Sequence, residues 1–265
     1  MRLGCFGTVK DIEDISKSNF DYIELNLKEL VFLPKEQFRV VQLRLAAAGL
    51  GADACSWVMP IDADFTAPDL DFSTWRDYLK TGAERSASLG TVLWPLGSGK
   101  GRSFKPENGI EAEQHERFSA FVASMAEVAQ EFGIQIAIEP LGPGYSNYLQ
   151  TIAQAVRFVQ GMGVPGIGTM CDLRHMTASK DPLSEITAYK DWILHTHIDF
   201  PYGDKRLFPR NADGYDYTDY FRQILRTSSP RLSVEALHEP DLALGADSVA
   251  YLRESIAEVR RGMEI

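Results

Sequence analysis

Four polar residues each close a separate apolar run in the second half of this chain: Glu139 after IQIAI, Asp172 after IGTMC, His197 after WILHT and Glu235 after LSV. A carboxylate or imidazole at the end of a buried strand costs free energy unless something binds it. Three carboxylates and one imidazole brought together would hold a divalent cation. Such a centre polarises a carbonyl and acidifies the C–H beside it. The residue types therefore point to an enzyme.

The elements that must position these residues are legible as an alternation. Strand-like runs recur as RLGCFG, DYIELN, LGADACS, TVLWPL, IQIAIE, GIGTMCD, WILHTHI and LSVEAL. Between them lie stretches with apolar residues at helical spacing, at 35–49, 73–90 and 111–133. Gly49, Gly90 and Gly133 stand where a left-handed C-terminal cap is expected. Eight strand–helix units in about 250 residues predict an α/β fold with a single (β/α)8 TIM barrel as its architecture. One domain is expected across residues 1–265, with a doubly wound open sheet as the structural alternative. A closed ring of parallel strands would gather the four polar residues on one face, whereas an open sheet would spread them along an edge.

Composition narrows the function classes. The chain of 265 residues is 45% hydrophobic and carries 27 basic against 37 acidic side chains, a formal charge of −10 with no polybasic block. Phosphate backbones attract clustered Lys and Arg, so nucleic acid is excluded as a partner on bulk electrostatics, and a small polar substrate fits better. No cationic leader and no bilayer-length apolar window is present, which predicts a cytoplasmic protein with no membrane partner. Cys5, Cys55 and Cys171 are expected to be buried reduced thiols.

The segments IAIEPL (136–141), CDLRHM (171–176), HTHID (195–199) and SVEAL (233–237), in this order, resemble the xylose isomerase-like barrel superfamily. Within it they are most similar to the sugar phosphate isomerase/epimerase branch that includes D-tagatose 3-epimerase. The resemblance implies that Glu139, Asp172, His197 and Glu235 are metal ligands, and that Glu139 and Glu235 are also the catalytic acid and base. The ligand set is mostly hard oxygen, which suits Mn²⁺ or Mg²⁺ and admits Co²⁺ or Zn²⁺. The implied activity is isomerisation or epimerisation of a sugar or sugar derivative through an enediolate, in a homo-oligomer, dimer or tetramer. His175, in the Asp-x-x-His pattern, would touch substrate hydroxyls.

Two positions depart from the epimerase pattern. Relatives often carry a second glutamate where this chain has Tyr145, and an arginine where it has Gly203; Arg206 or Arg210 is expected to substitute for that arginine.

Several further residues are candidates on their own chemistry. His195 shares a strand face with His197 by the period-two rule, and a hydrogen-bonded supporting role is expected for it, a plain core histidine being the alternative. The loop GSGKGRSF (97–104) offers Ser98, Lys100 and Arg102 to a substrate phosphate or carboxylate, or is a flexible turn. Trp57 would wall the pocket against sugar C–H groups or serve as a core or interface tryptophan. Glu24 ends the second strand, from where it could reach the site, though a helix-capping or ion-pair role is the default. The stretch 200–221 would form a lid or a subunit contact, and His115 and His238 have weaker claims.

Three other functions compete. A dehydratase of a keto-cyclitol or dehydroshikimate-type substrate shares the first chemical step, with Tyr145 or His175 protonating the leaving hydroxyl and Arg102 holding a carboxylate. An apurinic-site endonuclease of the same superfamily needs more histidines on early strand loops, and this chain has none before His115. A non-catalytic binding protein would have no use for all four ligands.

Overall fold

Eight short parallel strands close into a ring in the computed structural model, which describes residues 1–237 and 244–263. They are β1 (Arg2–Gly7), β2 (Tyr22–Asn26), β3 (Gly51–Ser56), β4 (Leu93–Leu96), β5 (Gln135–Ile138), β6 (Ile167–Asp172), β7 (Ile193–Ile198) and β8 (Arg231–Val234). Each pairs with the next in chain order, and β8 pairs back onto β1, so the open-sheet alternative is ruled out. Seven strands fall inside the apolar runs read from the sequence. The eighth begins one residue early, at Arg231, which pairs with Arg2.

Helices pack outside the ring. Lys35–Ala48, Ser73–Ser88 and Glu111–Gln130 occupy the predicted amphipathic stretches, and the following Gly49, Gly90 and Gly133 have φ of 66°, 91° and 72°. The main core lies between helices and strands, where Trp94, Phe118, Phe121, Leu173 and Ile198 are buried. No helix among the described residues is long and apolar enough to cross a membrane. All three cysteines are buried and free.

Inside the ring, alternation decides what is placed where. Ala54, Leu93, Ala137 and Met170 form a separate small cluster, one residue each from β3 to β6. Gly4 faces the Tyr22 ring, and a Cβ there would sit 2.2 Å from it, so the glycine leaves room for the tyrosine inside the barrel. Two residues after Ala137, Met170, His195 and Ser233, on the same face by the strand period, come Glu139, Asp172, His197 and Glu235. Glu139 and Glu235 lie one residue past the ends of β5 and β8. Their amides still donate to Leu96 O (3.1 Å) and Ile198 O (3.0 Å), which extends the ladder and fixes both carboxylates.

Candidate metal centre

Glu139, Asp172, His197 and Glu235 meet at the C-terminal mouth of the barrel, each offering a ligand atom within 4.8 Å of the others. His197 Nδ1 lies 3.6 Å from Glu139 Oε1, 3.9 Å from Asp172 Oδ2 and 3.5 Å from Glu235 Oε2. Its other nitrogen, Nε2, is 2.9 Å from Glu24 Oε1. A carboxylate only accepts, so the Nε2 proton points to Glu24 and Nδ1 faces the other three carboxylates. Nδ1 is buried and has no hydrogen-bond partner. A lone pair turned toward three carboxylates is repulsive unless a proton or a cation lies among them, and three carboxylates with one imidazole are a donor set that fits a divalent metal.

The electrostatics agree with that fit. Burial opposes charge on His197, but Glu24 and the contacts to Glu139 and Glu235 outweigh it and raise its pKa well above the usual imidazole value. Glu139 is held below the ordinary carboxylate range, burial working against this and His197 and His175 outweighing it. Asp172 is lowered too, its burial overcome by His175, Arg206 and His197. The field that favours a proton on His197 also favours a metal cation.

Around the cluster, Asp172 caps the helix Leu173–Ser179 by accepting from the His175 amide at 3.0 Å. That turn carries His175 to the cavity, where its Nε2 lies 2.9 Å from Arg206 Nη2 and 3.9 Å from Glu139 Oε1. The Gly142 amide approaches its Nδ1 at 3.2 Å. A neutral imidazole has one acceptor nitrogen, so only one of these N–H groups is accepted at a time.

Of the two arginines expected as substitutes, Arg206 is at the site. Its Nη1 is 2.8 Å from Glu235 Oε2 and 3.2 Å from Asp172 Oδ2. Gly97 makes room for the opposite carboxylate, since a Cβ on it would lie 2.6 Å from Glu139 Oε2.

The cluster opens into a cavity of about 390 Å³ lined by Ser56, Trp57, Ser98, Tyr145, His175 and Arg206 among others. Trp57 is 47% exposed and holds a positive φ of 51°, with Lys28 Nζ 5.7 Å from its ring. Tyr145 is half-exposed and meets His175 edge-on at 4.7 Å. Ser98 has φ of 45°. A second cavity, of about 470 Å³, lies by Phe104, His115, Tyr148 and Arg157, away from the carboxylates. His115 is there, and His238 lies outside the described residues.

Arg102 departs from the expectation of an anion-binding guanidinium. It is fully buried, donating to the carbonyls of Leu96 (3.4 Å), Glu139 (2.7 Å) and Leu149 (3.1 Å), and it does not line the cavity. The short helix Gly99–Arg102 turns it inward, where its charge meets the Glu139 carbonyl and adds a second donor to the carbonyls of Leu96 and Leu149, which already accept from the amides of Glu139 and Leu141.

Two groups at the site carried little signal in the sequence. Glu24 is fully buried inside the barrel rather than capping a helix, and both His195 Nε2 (2.8 Å) and His197 Nε2 meet it. Burial alone would raise its pKa, yet His197 and His195 hold it well below the ordinary carboxylate range. The available signal was a glutamate in the strand run DYIELN, and the ion-pair alternative is the one found, with His195 and His197. Arg174 is the second: its Nε donates to Asp199 Oδ2 at 2.6 Å, and its other nitrogens donate to the carbonyls of Phe200, Gly203 and Lys205. It pins the segment that delivers Arg206.

The chain belongs to the xylose isomerase-like TIM barrel family, whose model matches residues 12–260. Similar solved structures include a D-psicose 3-epimerase from Clostridium cellulolyticum H10, 17% identical with a TM-score of 0.80, over 97% of this chain and 99% of that one. An L-ribulose 3-epimerase is 21% identical, TM-score 0.80, over 99% and 97%. A 3-keto-D-glucoside 4-epimerase from E. coli is 18% identical, TM-score 0.76, over 96% and 99%. At these identities the likeness concerns the fold. No curated protein matches the chain.

Proposed function

We propose that this chain is a divalent-metal-dependent isomerase or epimerase of a sugar or sugar derivative, working through an enediolate. The observation that carries the reading is the unpartnered Nδ1 of His197 turned toward Glu139, Asp172 and Glu235 at the floor of a cavity. The epimerase names of the similar folds support a ketose as the substrate class. The oxygen-rich ligand set makes Mn²⁺ our assignment.

The metal, when bound, would polarise the substrate carbonyl and stabilise the negative charge that develops beside it. Glu139 and Glu235 directly follow β5 and β8, three strands apart in the ring, which supports their reaching a substrate carbon from different sides. One takes the proton, the C–H electron pair moves into the enediolate, and the other returns a proton to the opposite face. Arg206 and His175 would hold substrate oxygens, and Trp57 and Tyr145 would wall the cavity against water.

The test is solvent-deuterium incorporation into a panel of ketoses, keto-acids and keto-cyclitols followed by NMR, together with metal analysis. Exchange should require metal and should fall by about 10²-fold or more in Glu139→Gln and in Glu235→Gln. Exchange that survives metal removal sinks the mechanism. The edge-on contact of Tyr145 with His175 keeps a dehydratase as the second reading, and loss of water in the same spectra would select it.

A further inference from the structure

Glu24 is not among the four residues assigned to the metal, yet its carboxylate accepts four side-chain hydrogen bonds. Its Oε2 accepts from His195 Nε2 at 2.8 Å and from Ser233 Oγ at 2.5 Å. Its Oε1 accepts from His197 Nε2 at 2.9 Å and from Ser56 Oγ. The donors come from β3, β7 and β8, and the carboxylate from β2, so four strands converge on one fully buried group. A carboxylate has about four lone-pair sites, and all four are used here. Burying a charge this way is costly, and ordinary packing would be served as well by an apolar side chain. What an apolar side chain could not do is orient an imidazole.

An imidazole has two nitrogens, and the hydrogen bond made by one decides what the other presents. Without Glu24, the His197 ring could flip or place its proton on Nδ1, among Glu139, Asp172 and Glu235. We propose that Glu24 is the positioning residue of the centre: it fixes the Nε2–H tautomer of His197, presents Nδ1 to the three carboxylates, and so sets how tightly the cluster binds a divalent cation. His195 is the second donor to the same carboxylate and keeps it from rotating away. Its ring stands at 80° to that of His197, with centroids 4.9 Å apart. The inference rests on the metal reading above, while its test does not depend on turnover.

The experiment is calorimetric titration of Mn²⁺ into metal-stripped wild-type protein, Glu24→Gln and Tyr22→Phe, with circular dichroism to establish folding. Glu24→Gln should weaken Mn²⁺ binding by about 10–100-fold, the range for lost outer partners of metal ligands. Tyr22→Phe removes a hydroxyl 2.7 Å from Ser233 Oγ in the same network but touches neither histidine bond, and it should bind as the wild type does. In parallel, nitrogen-15 spectra of the Zn²⁺-loaded wild type should show His197 protonated on Nε2 alone. Folded Glu24→Gln with wild-type affinity, or a His197 proton on Nδ1, overturns the proposal. If Glu24→Gln does not fold, the wild-type spectra decide. A wild type that takes up no divalent cation overturns the metal reading itself, whereas unchanged affinity in Glu24→Gln overturns only the role of Glu24.

Discussion

At the scale of single residues, the guanidinium of Arg206 and a bound cation would share the same carboxylates. Arg206 Nη1 is within 3.2 Å of Asp172 and 2.8 Å of Glu235, and their charges raise its pKa against the cost of burial. Its positive charge opposes a cation at the ligands and favours a substrate oxyanion beside them. Arg206→Met should therefore bind Mn²⁺ at least as tightly as the wild type, while deuterium exchange falls by about 10²-fold. Parallel loss of metal affinity and exchange would show instead that Arg206 holds the ligands in place. Arg206→Lys should not restore exchange, because one ammonium cannot reproduce the planar fork that meets two carboxylates and His175.

At the scale of elements, what could be read from sequence was what repeats. The strand runs and the period-two spacing of His195 and His197 follow from local pattern, as do Gly49 and Gly133 at helix ends. Residues whose role depends on the path of an irregular loop were harder to place. Arg102 sits in a glycine-rich loop that suggested an anion site, yet Gly99 and Gly101 reflect tight packing: a Cβ on either would come within 2.5 Å of a backbone oxygen. Arg206 was one of two candidates because nothing periodic in 200–221 shows which arginine turns inward; Arg174, clamping three carbonyls, settles it. The loop role of Arg102 gives a second test. Arg102→Met leaves the Glu139 carbonyl without its donor, while those of Leu96 and Leu149 keep the amides of Glu139 and Leu141, which should cost about 2 kcal/mol at roughly 1–3 kcal/mol per buried unsatisfied group. In a protein of this size that lowers Tm by about 5 °C. The KM for phosphorylated or carboxylated substrates should not shift relative to neutral ones, and a selective rise for anionic substrates would restore Arg102 to the cavity.

At the scale of the whole molecule, the four proposed ligands come from the consecutive strands β5, β6, β7 and β8, so a cation would tie half of the ring together. A ligand that binds only the folded chain stabilises it by about 2.7 kcal/mol at a hundred times its Kd. Mn²⁺ should therefore raise Tm, chelation should reverse the rise, and Glu235→Gln should blunt it. The pH dependence has a definite sign. Without metal, the raised pKa of His197 adds stability that is complete at low pH and is lost as pH climbs through that raised value. A bound cation would take the Nδ1 lone pair and have to displace the proton, so binding should strengthen over the same interval. The gap in Tm between the Mn²⁺-loaded and metal-stripped forms should thus widen as pH is raised from weakly acid to weakly alkaline. Differential scanning calorimetry of both forms across that range measures it, and a gap that narrows with pH would mean that the cation is not bound through His197.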